Sequence, residues 1–189
     1  MSDNCIKNTS YPKAVSPFGL KVQLLRLLWS VARVLLYIPF GGRLLNGWRI
    51  FILRCFGAKI GRGSIVYSST RIWGPWNMEI GERTCIGPRV DFYCADKIII
   101  GNKVTISQDS CLCTASHRTD DINKPWFSEA IHIDDYAWVC ARAMVLPGCH
   151  IAKGGVLGAA AVLTRNIPEW EMYAGNPAHF IKQRTIKPS

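Results

Sequence analysis

The chain has 189 residues, of which 49% are hydrophobic and 19% are charged, and its formal net charge is +10. This length allows one main domain with a short appendage, and the composition excludes a disordered chain. The positive charge favours anionic partners such as phosphate-bearing cofactors or lipid headgroups. Because the Lys and Arg residues are spread along the chain without a recognition motif, we expect no nucleic-acid partner.

Residues 19–40 form the most apolar stretch of the chain and predict a helix. Three cations interrupt it: Lys21, Arg26 and Arg33. Charges inside a membrane-spanning helix cost about 2.5 to 3.5 kcal/mol each near the bilayer centre, so we do not expect this helix to span. Two compatible roles stay open: a cap over the open end of the main domain, and attachment to a membrane surface. A second short helix is expected around Trp48, Ile52 and Phe56.

A six-residue rhythm of aliphatic residues governs most of the remaining chain. From residue 133 onward it is unbroken: Ile133, Val139, Val145, Ile151, Leu157 and Leu163. Earlier blocks keep the same step with two-residue slips between them: Ile60, Val66 and Ile72, then Ile80 and Ile86, then Ile100, Ile106 and Leu112. Three such rungs make a triangular coil of about eighteen residues, and stacked coils bury one continuous apolar column. The rhythm therefore predicts a parallel β-helix.

Several segments of the repeat resemble the hexapeptide-repeat acyltransferases. They are "IGNKVTIS", "VLPGCHIAKGGVLGAAAVLTRNIPEW" and "YAGNPAHFIK", and the resemblance covers residues 58–184. "NGWRIFILRCFGAKIG" and "RIWGPWNMEIG" are similar to the colanic-acid-biosynthesis type within that family. The resemblance implies an all-β, left-handed parallel β-helix, a homotrimer with active sites at the subunit interfaces, and acetyl-CoA as the acyl donor. We expect an N-terminal helical segment at 1–57, the β-helix at 58–168 with an inserted loop at 118–132, and a C-terminal tail at 169–189.

The rhythm stops after Leu112 and resumes at Ile133, and an excursion of this kind is usually functional. In the resembling family this place carries the catalytic histidine, which makes His117 the candidate general base. Histidine suits the role because its ordinary pKa of about 6.5 leaves neutral imidazole available at neutral pH. The alternative is a solvated loop histidine. Three carboxylates of the loop are candidates for orienting the imidazole: Asp120, Asp121 and Glu129.

The resemblance also implies how coenzyme A is held along the carboxy-terminal coils. The positions that carry over are Trp138, Ala141, Ala159, Ala160, Thr164, Arg165, His179 and Lys182. Small residues permit the close backbone approach that a thin pantetheine arm needs, and cations suit the nucleotide phosphates. Tight packing of the coils explains the alanines equally well, and His179 stands where the family often has arginine.

The acceptor is less defined, because Gly87 and Ala95 stand where sugar acetyltransferases of this family have asparagine and aspartate. This departure argues against a simple galactoside or maltose and favours a larger or lipid-linked glycan. Asp91 and Trp126 are the candidate acceptor contacts. Asp91 alternatively satisfies a turn.

The eight cysteines follow no secretory signal and fit no small disulfide scaffold, so we expect reduced thiols in a cytoplasmic protein. Their spacing also lacks the CxxC pairs of zinc sites, and we expect no metal. A direct transfer is expected, with a cysteine thioester as the alternative route.

The expected function is an acetyl-CoA-dependent O-acetyltransferase that acts on a sugar hydroxyl of a polysaccharide or lipid-linked glycan precursor. Two alternatives stay open: an N-acyltransferase acting on an amino sugar or other small acceptor, and a non-catalytic trimeric β-helix binding module. The expected location is cytoplasmic, with residues 19–40 bringing the protein to the inner face of the cytoplasmic membrane.

Overall fold

A computed structural model describes residues 17–186 of the chain; residues 1–16, with Cys5, and residues 187–189 lie outside the described part. The first helix, α1 (Leu20–Ala32), continues into a π-helical turn (Arg33–Tyr37), and α2 (Asn46–Cys55) follows. Short strands, numbered along the chain, then wind in about six turns around a common axis. Both predicted helices are therefore present, although the first ends before Pro39 in a widened turn.

The strands of the coils stack into three sheets, which we name A, B and C, and successive coil strands belong to A, B and C in turn. Pairing within these sheets is parallel except at the final strand of sheet B. Sheet A contains β1 (Lys59–Ile60), β4 (Met78–Ile80), β7 (Ile98–Ile100), β12 (Ile131–Ile133) and β15 (His150–Ile151). Sheet B contains β2 (Ile65–Val66), β5 (Cys85–Ile86), β8 (Thr105–Ile106), β13 (Trp138–Val139), β16 (Val156–Leu157), β18 (Glu171–Ala174) and β19 (His179–Gln183). Sheet C contains β3 (Arg71–Ile72), β6 (Asp91–Tyr93), β9 (Cys111–Cys113), β14 (Met144–Val145) and β17 (Val162–Leu163).

The aliphatic residues of the rhythm form the buried column that the sequence predicts. Each pairs in register with its equivalent one coil away, as Val66 does with Ile86 and Ile86 with Ile106. Phe92, which is fully buried, occupies the inward position of β6 between Ile86 and Ile100. Because one coil cannot bury its own inward side chains, each coil depends on its neighbours for this apolar burial.

Both two-residue slips fall at one corner of the triangle, between sheets C and A, which we call the C–A corner. Residues 73–77 make this corner wider in the first turn with a 3-10 turn (Pro75–Asn77), and residues 94–97 do so in the second. In the third turn the corner carries the long excursion, which folds as an antiparallel hairpin of β10 (Ala115–His117) and β11 (Trp126–Ser128). The next crossing, from β14 to β15, keeps the six-residue step.

The N-terminal helices close the open end of the solenoid through side-chain donors. One donor reaches an edge carbonyl of each sheet: Arg54 bonds to the Ile60 carbonyl, the Arg49 Nε donates to Val66 O at 3.0 Å, and the Trp29 Nε1 donates to Ile72 O at 2.8 Å. The predicted cap is confirmed. Within residues 17–186, no helix combines the length and apolarity that crossing a bilayer requires.

The other end of the solenoid is closed by the tail. Ile167 forms a parallel bridge to Ile151, and β18 adds to sheet B beside β16. The chain then turns back, so that β19 pairs antiparallel with β18. The first part of the predicted tail thus continues the winding of the coil.

Candidate active site

His117 lies at the end of β10, exposed, on the hairpin of the C–A corner. Its Nδ1 is 2.6 Å from the carbonyl oxygen of Lys124. A carbonyl only accepts hydrogen bonds, so Nδ1 carries the hydrogen, and in the neutral ring Nε2 then carries the lone pair. This tautomer is the one that a general base requires. The group that orients the ring is therefore a backbone carbonyl rather than Asp120, Asp121 or Glu129.

The base of the hairpin is anchored to the coil beneath it. Ser128 Oγ donates to Asp96 Oδ2 at 3.2 Å, and the Asp96 backbone N–H donates to Thr114 Oγ1 at 2.9 Å. The Glu129 N–H donates to the Thr114 carbonyl, also at 2.9 Å. Asp96 and the buried Thr114 therefore fix the position from which His117 projects, a role that their sequence positions did not indicate.

Trp126 stands directly opposite His117 in the hairpin, so the two side chains lie on the same face of the ribbon. The Trp126 ring is 5.3 Å from the Phe18 ring, which is 4.8 Å from the Trp73 ring. The Arg26 guanidinium lies 4.5 Å from the centroid of Trp73. We call these five residues the hairpin surface. It combines aromatic area with a cation, Arg26, that is linked to the candidate base through the three aromatic rings, and the N-terminal segment contributes to it.

Asp91 lies elsewhere, on the outer face of sheet C. It belongs to β6, and its Oδ2 is 3.2 Å from Arg71 Nε. The alternative that Asp91 satisfies a turn is wrong, because the residue pairs within a strand. Its carboxylate is thus engaged with a neighbouring coil and is not part of the hairpin surface.

Four of the predicted coenzyme A positions meet at the corner between sheets B and C, which we call the B–C corner. The Trp138 Nε1 donates to Ser107 Oγ at 2.9 Å, although the residue remains 44% exposed. The Ala160 N–H donates to the Ala141 carbonyl at 2.9 Å, so these alanines stack on successive coils, with Ala159 exposed beside them. Small residues thus leave this corner open to an extended ligand.

The remaining predicted cofactor positions lie toward the carboxy-terminal end. Thr164, Arg165 and His179 line one cavity of about 150 Å³ together with Pro177 and Ala178. Lys182 is exposed in β19 opposite Met172 and is not among the residues that line this cavity. An extended arm on the B–C corner with phosphates near Arg165 is compatible with this arrangement.

Within one chain, the structure does not bring the candidate base and the candidate cofactor positions together. His117 projects from the C–A corner, whereas Trp138, Ala141 and Ala160 lie at the B–C corner, and the full width of sheet C separates the two corners. The two sets of residues therefore lie at different corners of one chain.

His150, unlike His117, has a carboxylate partner, and this pair was not predicted from the sequence. His150 Nε2 is 2.8 Å from Asp134 Oδ2, and the His150 ring lies 6.2 Å from that of His132. These residues lie on the outer face of sheet A. The eighteen-residue coil length indicates that His132 and His150 are neighbours, because residues eighteen apart in this part of the chain are paired.

Two of the cysteine thiols, one buried and one partly buried, are poor nucleophiles. Burial raises the pKa of Cys94 to about 12 and that of Cys111 to about 11. Both thiols therefore stay protonated at neutral pH, which disfavours them as carriers of a thioester. Within residues 17–186, no three His, Cys, Asp or Glu side chains are grouped so as to hold a metal ion.

Comparison with known proteins gives relatives among the acyltransferases. The chain is 35% identical over 167 residues to a protein of Escherichia coli K12 named colanic acid biosynthesis acetyltransferase WcaF, and the match covers 88% of each chain. A hexapeptide-repeat-containing acetyltransferase of Vibrio cholerae superposes with a TM-score of 0.80 at 21% identity, covering 89% of this chain and 95% of that one. A maltose O-acetyltransferase of Clostridium difficile 630 superposes with a TM-score of 0.75 at 23% identity, covering 89% and 90%. No protein-family model matches the chain.

The structural neighbours confirm the predicted fold class, a left-handed parallel β-helix. Together with the sequence relatives they define the protein as an acyltransferase. The chain belongs to the hexapeptide-repeat acetyltransferases of the colanic-acid-biosynthesis type.

Proposed function

We propose that the protein is an acetyl-CoA-dependent O-acetyltransferase that acts on a sugar hydroxyl of a polysaccharide or lipid-linked glycan precursor. The observation that carries the proposal is the hydrogen bond from His117 Nδ1 to the Lys124 carbonyl. It gives the imidazole the tautomer and the fixed orientation of a general base on an exposed hairpin.

In this proposal His117 takes the proton of the acceptor hydroxyl at Nε2 as the hydroxyl oxygen attacks. An alcohol needs this assistance because it is a weak nucleophile while it holds its proton. Acetyl-CoA supplies the acetyl group as a thioester, and the carbon–sulfur bond breaks as the coenzyme A thiolate leaves and takes the proton back from Nε2. The Lys124 carbonyl keeps the ring oriented and favours the imidazolium that forms, because it accepts the hydrogen of Nδ1 in both charge states.

The B–C corner is the proposed path of the acyl donor. A structure of the Vibrio cholerae acetyltransferase, which superposes with a TM-score of 0.80, is complexed with acetyl-CoA. In this chain Trp138 flanks the path, Ala141, Ala159 and Ala160 leave room for it, and Arg165 stands near its end. We propose that Thr164, His179 and Lys182 contribute at the nucleotide end.

The hairpin surface is the proposed acceptor site. Its aromatic rings offer an apolar face to the C–H side of a sugar, and Arg26 offers hydrogen bonds to polar substituents. The sugar-directed names of the relatives, colanic acid biosynthesis and maltose, support a carbohydrate acceptor. Trp126 keeps its predicted role here. For Asp91, a role in binding would use the carboxylate oxygen Oδ1, because Oδ2 is engaged with Arg71.

A homotrimer is the proposed assembly, because the two halves of the site lie on different corners of one chain. Co-expression of His117→Ala and Ala141→Trp chains tests it. In random mixed assemblies about a quarter of the seams contain both intact halves, so two inactive variants should together regain about a quarter of the activity. No recovery in assemblies shown to be mixed would place the whole site in one chain. Light scattering reports the mass.

The general base is tested by His117→Ala, with His150→Ala as the matched control. Removal of the base should lower the rate of acetyl transfer at least about a hundredfold, and it should change stability little because the side chain is exposed. His150 has a carboxylate partner, Asp134, but lies on sheet A, so its loss should leave the rate of acetyl transfer within about twofold of the wild-type rate. A rate that follows His150 instead would overturn the assignment. Acetyl transfer to amines only would favour N-acylation.

We also propose that residues 19–40 attach the protein to the inner face of the cytoplasmic membrane. The outer side of α1 and the turn after it exposes Leu24, Leu27, Leu28, Val34 and Leu35. Leu27→Asp should reduce co-sedimentation with anionic phosphatidylglycerol vesicles severalfold, whereas Ile122→Asp, at a similarly exposed site on the hairpin, should not. If Leu27→Asp changes the assembly mass instead, this face contacts another copy of the chain.

A further inference from the structure

A cavity of about 260 Å³ lies between the first coil and the N-terminal helices. Its lining consists of Gly42, Arg43, Arg49, Ile65, Tyr67 and Ser68. None of these residues belongs to the sites described above. The cavity is therefore separate from those sites.

The charge of this cavity is positive and uncompensated. Arg49 is only 2% exposed, and its guanidinium donates to the carbonyls of Val66 at 3.0 Å and of Phe40 and Gly42 at 2.8 Å. These partners are neutral. Among residues 17–186, no carboxylate forms an ion pair with Arg49 or with Arg43. A buried charge without an opposite charge is costly, and an anion bound in the cavity would supply one.

The cavity lies in line with the proposed path of the acyl donor. Tyr67, in its wall, starts a ladder at the B–C corner: the Tyr67 N–H donates to Ile86 O, and the Gly87 N–H donates to Ile106 O. Ser107, which binds the Trp138 indole, is thus two rungs from Tyr67, or roughly 10 Å at the usual strand spacing. An anion in the cavity would be separated from the reacting hydroxyl by one or two sugar units.

Exposed apolar residues adjoin the lining residues Gly42 and Arg43 along the chain. Phe40 precedes Gly42 and Arg43 in the chain, and Leu44 and Leu45 follow them; all three apolar side chains are exposed, and Leu44 is 99% exposed. An anionic group bound by Arg43 would therefore be adjacent to residues with exposed apolar side chains. This combination suits a phosphate that links a sugar to a larger carrier.

We propose that this cavity binds the diphosphate of a glycosyl diphosphate acceptor, so that the sugar attached to it reaches the seam where acetyl transfer takes place. The inference rests on the proposed function and names its substrate class. The carrier beyond the diphosphate is either a lipid or a nucleoside. Arg43 supplies the exposed contact, whereas Arg49 supplies the fixed buried charge.

Binding is tested first without catalysis. Inorganic pyrophosphate should bind to the full-length protein in calorimetry, and Arg43→Gln should weaken it at least about tenfold. Arg62→Gln, which removes an exposed cation of the same coil that does not line the cavity, is the control and should not change it. Arg49→Lys is unsuitable as the first variant because it also removes hydrogen bonds that close the solenoid. Equal effects of the Arg43 and Arg62 variants, or no pyrophosphate binding, would overturn the proposal.

Turnover then distinguishes the source of the diphosphate. Arg43→Gln should lower the preference for a glycosyl diphosphate over the same sugar without phosphate at least about tenfold. Leu44→Ser should further raise the KM for a lipid-linked acceptor, but not for a nucleoside-linked one. An unchanged preference in Arg43→Gln would overturn the inference and leave the acetyltransferase function standing. Absence of any acetyl transfer by the wild type would count against the proposed function, and pyrophosphate binding is measured separately from it.

Discussion

The indole of Trp29 holds the N-terminal cap on sheet C, and its removal should measure what the cap contributes to stability. Trp29 is 2% exposed, and its Nε1 donates to the Ile72 carbonyl at 2.8 Å in a buried environment. Trp29→Phe keeps a ring in the site but removes the donor, and a buried carbonyl left without its partner costs about 1–3 kcal/mol. The smaller ring also leaves unfilled volume, which brings the expected loss to about 2–4 kcal/mol.

The matched control is Trp48→Phe, because the Trp48 Nε1 also donates to a carbonyl, that of Leu36, at 2.8 Å, but in an exposed environment. There water replaces the lost partner, and the cost should stay below about 1 kcal/mol. Thermal unfolding followed by circular dichroism at one fixed protein concentration should show a Tm lower by about 4–16 °C for Trp29→Phe and by less than about 4 °C for Trp48→Phe. Equal shifts for the two variants would refute the reasoning that the buried edge carbonyl depends on the indole.

Two further predictions concern the coil. A Cβ on Gly81 would lie 2.6 Å from the backbone carbonyl of Gly101 in the next coil, so Gly81→Ala should lower the free energy of unfolding in urea by more than about 2 kcal/mol. The control is Gly47→Ala in α2, where a Cβ has nothing within 4 Å, and it should raise that free energy by about 0.5–1 kcal/mol. The opposite order would contradict the stacking argument. Burial raises the pKa of Cys94 to about 12, so the folded state keeps a proton that the unfolded thiol loses near pH 8.5. Stability should therefore fall as pH rises above about 9, by up to about 1.4 kcal/mol per pH unit for this thiol, and the slope should be shallower in Cys94→Ala; equal slopes would show that Cys94 does not carry the effect.

The column of the β-helix was predictable because its cause is local and periodic. One inward aliphatic residue every six positions is visible in the sequence, and stacking then follows from the need to bury it. The same reasoning passed over Phe92, which fills the inward place in β6, because the pattern was counted in aliphatic residues alone. The two-residue slips were visible, but only the winding shows that they share the C–A corner with the hairpin.

The chemistry was predictable only in part, because its decisive contacts join distant residues through the backbone. The place of His117 was signalled by the broken rhythm, yet its partner is the carbonyl of Lys124, and a carbonyl leaves no trace in residue type. The cap is similar, since Arg49 reads in the sequence as one more surface cation but is buried against carbonyls. The cavity beside it therefore had no signal in the sequence.

The C–A and B–C corners of the solenoid carry different residues, so the seams of the proposed homotrimer are asymmetric. In a closed ring each copy presents two different surfaces to its neighbours. The C–A corner is elaborated in the first three turns and carries the hairpin, whereas the B–C corner carries small residues in the last turns, with Arg165 at its end. A seam that joins these two surfaces has a direction: the nucleotide end of the donor lies toward the carboxy-terminal coils, and the space toward the first coil is left for the acceptor. The uncompensated arginines and the exposed apolar side chains of the N-terminal segment lie at that acceptor end. In the proposed assembly, the cap that stabilises the solenoid therefore also lies at the acceptor end of the seam.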